Sequence, residues 1–261
     1  FQYSPHFVRF RSGGGLLGGA EIERSKLDPS KSVLSQFRDP NDPQYELLRL
    51  MIGSARLHRS LPVARGAPIR IPQLTDLPSD VLSDDGGNLA LIVNRIQQSP
   101  AAKKSLLKYL SYAFEGARDV DAKVHGGTVQ LVLEEDEWVV PATRMSDGTL
   151  RWIALLAILL DPEPGGLVCI EEPEIGLHPD LMPKLAELLR VASGDRQLVV
   201  TTHSDTLIDA LQDTPEAILV CERHGGSTTI ERLKQPALSE WMKKYSLGQL
   251  WTRGDLGGTR W

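Results

Sequence analysis

This sequence of 261 residues lacks the features that mark secreted or membrane proteins. It has two cysteines, Cys169 and Cys221, which are too few for a disulfide framework; both end or interrupt apolar runs, so we expect small core residues in a reducing compartment. No apolar run is long enough to cross a membrane, and the first ten residues hold polar side chains where a signal peptide needs an apolar segment. We therefore expect a cytoplasmic protein without a membrane partner.

Positive charge is also in short supply. The formal net charge is −5, which excludes a broadly basic surface of the kind that coats nucleic acid, although a local basic patch is compatible with that total. Apolar residues, by contrast, are abundant. A hydrophobic content of 41% over this length supports a folded globular protein with a substantial core.

A phosphate-binding loop is the most consequential absence. The first 43 residues are rich in glycine and proline, but no Gly-Lys-Ser or Gly-Lys-Thr triplet occurs in them. We interpret the glycines at residues 13–15 and 18–19 as turns between short strands. The sequence begins with Phe1 and not with methionine, so we expect that an amino-terminal portion containing the phosphate loop precedes it.

The middle of the chain contains helical patterns followed by alternation. Apolar residues recur at helical spacing in residues 45–57, 88–98 and 101–114, and a proline-punctuated connector lies at residues 61–78. Residues 117–140 instead alternate apolar and polar side chains around an acidic turn, which predicts an exposed β-hairpin. Arginines of the helical region, Arg59 included, are interpreted as a solvated surface.

Three motifs place polar side chains at the ends of apolar elements. They are Ser146-Asp147-Gly148-Thr149 before a buried helix, Glu171-Glu172 after a strand at residues 167–170, and His203 after a strand at residues 197–201. The first motif suits either an ordinary helix cap or an anion site at a helix start. The other two lie at the carboxyl ends of strands, where open α/β sheets bind their ligands.

The acid pair and the histidine have side chains suited to nucleotide chemistry. A carboxylate such as Glu171 can hold Mg²⁺, and an adjacent one such as Glu172 can orient or deprotonate a water molecule. The imidazole of His203 can donate a hydrogen bond to a phosphate oxygen. The turn Gly176-Leu177-His178-Pro179 follows the acids and starts another helix, and we interpret His178 as a turn or interface residue and not as a ligand.

In this order and spacing, residues 144–204 resemble the carboxyl-terminal half of the ABC-type ATPase head of SMC-like and RecF-like proteins. The resemblance is closest to bacterial predicted AAA-type ATPases related to the OLD family. Residues 145–149 correspond to the signature motif, residues 167–172 to the Walker B strand, residues 176–179 to the D-loop, and His203 to the switch histidine.

The resemblance implies a fold, a division of the chain and a partner. The fold is an α/β P-loop NTPase core, with a parallel sheet flanked by helices, a helical insertion and a β-hairpin. We expect a strand-and-turn region at residues 1–43, a mostly helical lobe at residues 44–116 and the carboxyl-terminal ATPase half at residues 117–261. Such heads form homodimers around ATP, and their switching is coupled to DNA or to an effector protein, as in DNA repair or phage defence.

The resemblance also implies roles for individual residues. Glu171 would belong to the Mg²⁺ site, Glu172 would be the catalytic glutamate, and His203 would contact the γ-phosphate of ATP. The residues that would bind nucleotide held mainly by the partner subunit are Ser146, Asp147, Gly148 and Thr149. The residues that would form D-loop contacts across the dimer are Gly176, Leu177 and His178.

Two departures from the family pattern keep alternatives open. The Walker B strand ends in Glu171 where many relatives have aspartate, and the Walker A loop is absent from this sequence. One alternative is a non-hydrolysing, nucleotide-gated binding module that supplies its signature face to an intact partner. Another is a metal-dependent nuclease using Glu171, Glu172 and Glu174, although no further dispersed acidic motif follows.

Overall fold

A computed structural model describes residues 2–3, 7–9, 21–36, 38, 42–163 and 166–258. The predicted glycine turns at residues 13–15 and 18–19 lie outside the described residues. The chain splits into two compact units, residues 1–56 with 165–168, and residues 57–164 with 169–261. The division into three regions stays a prediction.

The described residues contain short strands and mostly short helices. In chain order the strands are β1 Gln2–Tyr3, β2 Phe7–Arg9, β3 Glu21–Glu23, β4 Arg56–His58, β5 Gln73–Leu74, β6 Ala117–His125, β7 Thr128–Glu135, β8 Val139–Pro141, β9 Leu167–Glu171, β10 Gln197–Thr201, β11 Leu219–His224 and β12 Ser227–Arg232. The α-helices are α1 Val33–Gln36, α2 Pro43–Gly53, α3 Leu89–Gln98, α4 Pro100–Ala113, α5 Asp147–Leu159, α6 Met182–Ala192, α7 Asp205–Asp209, α8 Gln235–Met242 and α9 Leu247–Arg253.

The first unit holds an antiparallel sheet of order β1-β2-β3 and the helices α1 and α2. Asp42 caps α2, because its side chain accepts hydrogen bonds from the backbone N–H groups of Gln44 and Tyr45 at 3.1 and 3.0 Å. Pro43 stands at the first helical position, where it loses no intrahelical bond. The helix predicted at residues 45–57 is therefore present, with both ends shifted toward the amino terminus.

A parallel sheet carries the acid pair and the histidine of the sequence analysis. Its strand order is β10-β9-β4, and the neighbours β9 and β10 are joined through α6, the crossover that a parallel pair requires. Val168 and Ile170 of β9 are buried, as are ten residues of α5, which is apolar on nearly all sides. The fold is the predicted α/β P-loop NTPase type, with helices packed around a parallel sheet.

A second, antiparallel sheet has the order β5-β7-β6, with β8 paired to β7. The hairpin predicted around the acidic turn is the β7–β8 pair, in which Glu134 lies opposite Val139. The β6–β7 hairpin turns at Gly126 and Gly127, both of positive φ, and the sequence pattern did not predict it separately because β6 carries charges on both faces. Helix α3 packs on this sheet and α4 packs on α5.

The carboxyl end of α5 is tied to the start of β10 by Arg196. Its guanidinium donates hydrogen bonds to the carbonyl oxygens of Ile158 at 2.9 Å and Asp161 at 3.0 Å. Burial lowers the pKa of Arg196, while the Asp161 carboxylate acts in the opposite direction. Buried carbonyl groups at a helix end need such partners, so this arginine fixes the helix against the strand that leads to His203.

One cysteine lies where we did not expect it. Cys169 is partly buried in β9, but Cys221 is exposed in β11, so its prediction as a core residue is wrong. The β11–β12 hairpin exposes all six residues of β12, and apolar content alone did not reveal this. Among the described residues, no helix combines the length and the apolar character needed to cross a bilayer.

Candidate functional site

The predicted acids and histidine meet at the carboxyl edge of the parallel sheet. Glu171 ends β9, Glu172 follows it, and His203 lies two residues after β10. The His203 Nε2 atom is 3.5 Å from Glu172 Oε1. The exposed side-chain fractions of Glu171, Glu172 and His203 are 46%, 38% and 54%, so a ligand can reach all three.

The backbone at Glu172 adopts an uncommon conformation. Its φ is +44°, and within the described residues no other non-glycine residue has a positive φ. The Glu172 N–H still donates to the Thr201 carbonyl oxygen at 2.9 Å, so the chain turns sharply while it remains joined to β10. Such strain costs about 1–3 kcal/mol and occurs preferentially at functional sites. The turn directs the Glu172 side chain toward His203.

A third strand adds a cation to the same edge. Arg59 directly follows β4, and its Nε lies 3.6 Å from Glu171 Oε1. Arg59, Arg151 and the two acids are among the residues that line a cavity of about 220 Å³. The sequence interpretation placed Arg59 on a solvated surface, because it predicted a helix through residue 57 and missed the strand β4 that Arg59 follows.

The signature segment forms a helix start that is already hydrogen-bonded. The Ser146 hydroxyl accepts the Thr149 N–H at 3.0 Å and lies 2.7 Å from the Thr149 hydroxyl, so Ser146 is the N-cap of α5. Asp147 in the first turn is favourable for the helix dipole. Both sequence interpretations therefore remain compatible, because a capped helix start also presents N–H groups to an anion.

A buried arginine braces this segment from the connector at residues 61–78. Arg70 is 6% exposed, and its guanidinium donates to the carbonyl oxygens of Val63 at 2.6 Å, Ala142 at 3.2 Å and Met145 at 2.6 Å. It also pairs with the Asp147 carboxylate. The sequence reading of this connector as simply extended missed Arg70, because Ala142, Met145 and Asp147 lie more than 70 residues away in the chain.

The D-loop turn lies against the signature helix. Gly176 has a φ of +76°, and a side chain there would meet Arg151 of α5 at 3.0 Å. A Cβ atom added to Gly148 would lie 3.0 Å from the Gly176 carbonyl oxygen. Leu177 is half-buried, whereas His178 is exposed and accepts the Asp180 N–H at 3.3 Å through Nδ1. The turn role predicted for His178 matches this cap.

Comparison with protein families decides the class. Residues 23–209, most of the chain, match the model described as "AAA domain, putative AbiEii toxin, Type IV TA system". The chain belongs to this AAA domain family. The family match confirms the ATPase-head resemblance and makes this AAA domain a P-loop ATPase domain of a nucleotide-binding family.

Solved structures give a weaker likeness. An SMC ATPase described for ATP-driven dimerization and DNA-stimulated activation is 14% identical, covers 58% of this chain and 96% of its own, and gives a TM-score of 0.43. The SMC head of Pyrococcus yayanosii is 16% identical, covers 55% of this chain and 29% of its own, and gives a TM-score of 0.43. The SMC head of Thermotoga maritima is 13% identical, covers 56% of this chain and 52% of its own, and gives a TM-score of 0.39. The AAA domain thus spans about half or less of these two chains. No curated protein matches the chain.

The carboxyl edge of the parallel sheet that carries Glu171, Glu172 and His203, here called the acid edge, fits a hydrated Mg²⁺ ion. Mg²⁺ usually takes one or two carboxylates, several waters and substrate phosphate oxygens, and the exposed Glu171 carboxylate offers that kind of ligand. The described residues contain no group of three or more His, Cys, Asp or Glu side chains arranged to hold a metal ion by themselves. A site completed by phosphate oxygens is consistent with this arrangement.

Two further residues surround His203. Glu174 Oε1 accepts hydrogen bonds from the Thr202 hydroxyl at 2.6 Å and from the His203 N–H at 2.9 Å. The Trp251 ring of α9 lies with its centroid 6.5 Å from that of His203. The sequence interpretation considered Glu174 only as an acid of the nuclease alternative.

Proposed function

We propose that this AAA domain binds ATP with Mg²⁺ and hydrolyses it at a composite site between two subunits. The observation that carries the proposal is the approach of Glu172 and His203, at 3.5 Å, beside the exposed Glu171 at the ends of adjacent parallel strands. Phosphoryl transfer needs positioned charge and an oriented water more than covalent chemistry. This edge offers both acidic and hydrogen-bonding groups to a phosphate.

Each side chain of the edge has a distinct role in this proposal. Glu171 would hold Mg²⁺, which when bound neutralises negative charge on the phosphate oxygens. Glu172 orients the attacking water and accepts its proton. His203 donates a hydrogen bond from its imidazole to a γ-phosphate oxygen, on which negative charge is concentrated during transfer. Its distance from Glu172 allows both residues to serve the same reacting group.

The signature segment supplies the second half of the composite site. Ser146, Gly148 and Thr149 start α5, where free N–H groups and the helix dipole attract the nucleotide phosphates held by the partner subunit. Asp147 stays paired with Arg70 and shapes the loop. Gly176, Leu177 and His178 contact the partner, so a homodimer forms around ATP. This sequence has no Gly-Lys-Ser or Gly-Lys-Thr triplet, so the proposed site needs a phosphate-binding loop in addition to these residues.

The cycle of dimer formation and hydrolysis acts as a switch on an effector. The family description names a toxin–antitoxin system. We therefore propose a defence role, with DNA or a protein effector as the partner. The missing phosphate loop is the observation that supports the alternative, a non-hydrolysing module. This alternative predicts nucleotide-dependent dimers without turnover, whereas the proposed ATPase forms dimers and hydrolyses ATP.

The substitution Glu172→Gln in the full-length protein tests the proposal. We expect kcat to fall at least about 100-fold, because the amide cannot accept the proton of the attacking water, while ATP still binds. ATP-dependent dimers should persist longer, as measured by size-exclusion chromatography with light scattering. The matched control is Glu137→Gln in the exposed turn between β7 and β8, which should leave kcat unchanged. Turnover at the wild-type rate in Glu172→Gln would contradict the assignment of the catalytic glutamate.

A further inference from the structure

Glu174 connects the turn after the acids to the segment that carries His203. It lies two residues after Glu172 in the chain, and its Oε1 atom accepts two hydrogen bonds from the other strand end, at 2.6 Å from the Thr202 hydroxyl and 2.9 Å from the His203 N–H. The His203 N–H belongs to neither β10 nor α7. This carboxylate is therefore the hydrogen-bond acceptor that holds the His203 backbone N–H.

The contacts of Glu174 continue into the next helix. The Thr202 hydroxyl that donates to Glu174 also accepts the Ser204 N–H at 3.0 Å, and the Ser204 hydroxyl caps α7 by accepting the Leu207 N–H at 3.1 Å. His203 therefore lies between Thr202 and Ser204, whose side chains both form hydrogen bonds. Loss of the carboxylate would release the segment at its amino-terminal end and leave α7 capped.

The second oxygen of Glu174 argues against a role in stability alone. Oε2 is buried and has no hydrogen-bond partner in the described part of the chain. Burying an unpaired acceptor costs free energy, which a purely structural site would avoid with a smaller or better-paired residue. Sites that hold a reacting group in a fixed geometry tolerate such costs.

On the basis of the proposed ATPase function, we propose that Glu174 is a positioning residue that fixes His203 for contact with the γ-phosphate. Glu174 does not itself touch the reacting atoms. It holds the His203 backbone while Glu172 faces Nε2 and the Trp251 ring lies beside the imidazole. The turn that carries Glu172 and the loop that carries His203 consequently move together.

The test separates binding from turnover in the full-length protein. In Glu174→Ala we expect kcat to fall about 10- to 100-fold, because a displacement near 1 Å costs that much in a positioned site, while the Kd for ATP changes less than about twofold. Glu174→Gln keeps an acceptor oxygen at the same distance and should retain kcat within about threefold. A merely structural role would lower the melting temperature without this separation of kcat from Kd.

Thr202→Val gives a second variant that is nearly isosteric. It removes the hydroxyl that donates to Glu174 and accepts the Ser204 N–H, so its effect on kcat should be smaller in the Glu174→Ala background than in the wild type. Additive effects on kcat would overturn the proposal. The control Glu137→Ala, in the exposed hairpin turn, should leave both kcat and Kd unchanged.

Amide hydrogen exchange of His203, followed by NMR, tests the contact without any turnover. We expect exchange to be at least about tenfold faster in Glu174→Ala than in the wild type, since the protecting bond is lost. An unchanged rate would overturn the proposal. If the wild type shows exchange protection but hydrolyses no ATP, the proposed ATPase function fails while the His203 contact stands. If the wild type hydrolyses ATP and Glu174→Ala keeps the wild-type kcat, the positioning role alone fails.

Discussion

The signature segment and the acid edge are built in opposite ways. Around the signature, Ser146 caps its helix, Thr149 is buried, and Arg70 satisfies three carbonyl groups. At the acid edge, the side chains of Glu171 and His203 are 46% and 54% exposed, and their ion pairs are long, at 3.6 and 3.5 Å. The hydrogen bonds of the signature segment are made within the chain, whereas the side chains of the acid edge stay accessible to a ligand.

This difference follows from what each region would contact. A helix start that meets a partner's nucleotide must keep its shape before the partner arrives, because ordering it on binding would reduce affinity. Carboxylates and a histidine that bind phosphate through Mg²⁺ must remain accessible, since protein partners would compete with the ligand. The comparison therefore predicts large stability effects at the signature and small ones at the acid edge.

The largest effect is expected at Arg70. Arg70→Met keeps much of the apolar volume but leaves the buried carbonyl groups of Val63 and Met145 without their donor, while the Ala142 carbonyl keeps only the Met145 N–H at 3.3 Å. Each unsatisfied buried acceptor costs about 1–3 kcal/mol, so we expect the free energy of unfolding to fall by about 3 kcal/mol or more. Urea denaturation followed by circular dichroism measures this change.

The matched control for this substitution is Arg65→Met, because Arg65 lies on the same connector but is exposed. Its effect should stay within about 0.5 kcal/mol. If both variants lose the same stability, the signature segment is not braced by Arg70, and the contrast with the acid edge disappears.

A smaller effect is expected from the strained backbone at Glu172. A side chain at its positive φ costs roughly 1–2 kcal/mol, whereas glycine adopts that conformation freely but loses more entropy on folding. The free energy of unfolding of Glu172→Gly should therefore be about 1 kcal/mol higher than that of Glu172→Ala, so the glycine variant is the more stable of the two. Thermal denaturation of the two variants measures the difference, and both should lack ATP turnover. Equal stability would indicate that the turn is relaxed in solution.

Local patterns in the sequence predicted much of the fold and the acid edge. The strand at residues 197–201 coincides with β10, and α3 and α4 begin and end within one residue of prediction, because apolar periodicity and caps are local signals. The order of motifs brought Glu172 and His203 to one edge, since parallel strands end together. The signature helix begins at Asp147, three residues before the apolar run at Leu150.

Contacts between residues distant in the chain could not be predicted in the same way. Arg70 reaches Met145 across 75 positions and Glu174 reaches Thr202 across 28, and neither carries a local pattern. An arginine between prolines and an acid near other acids both resemble ordinary surface residues in composition. Cys221 was misjudged for the related reason that an apolar neighbourhood in sequence does not establish burial in a two-stranded hairpin.

The smallest effect on stability is expected at Arg59, and it is the sharpest test of the open edge. The Arg59–Glu171 pair is exposed at both ends, with 71% and 46% of the side chains accessible, so Arg59→Met should change the free energy of unfolding by less than about 0.5 kcal/mol. The same substitution frees Glu171 from a competing cation. We therefore expect the apparent Mg²⁺ affinity in the presence of ATP to rise, which isothermal titration calorimetry can measure. A large loss of stability with unchanged Mg²⁺ affinity would contradict this expectation. It would mean that the Arg59–Glu171 pair stabilises the fold, as Arg70 does at the signature segment, because a Glu171 carboxylate that is needed for the fold is not available to Mg²⁺.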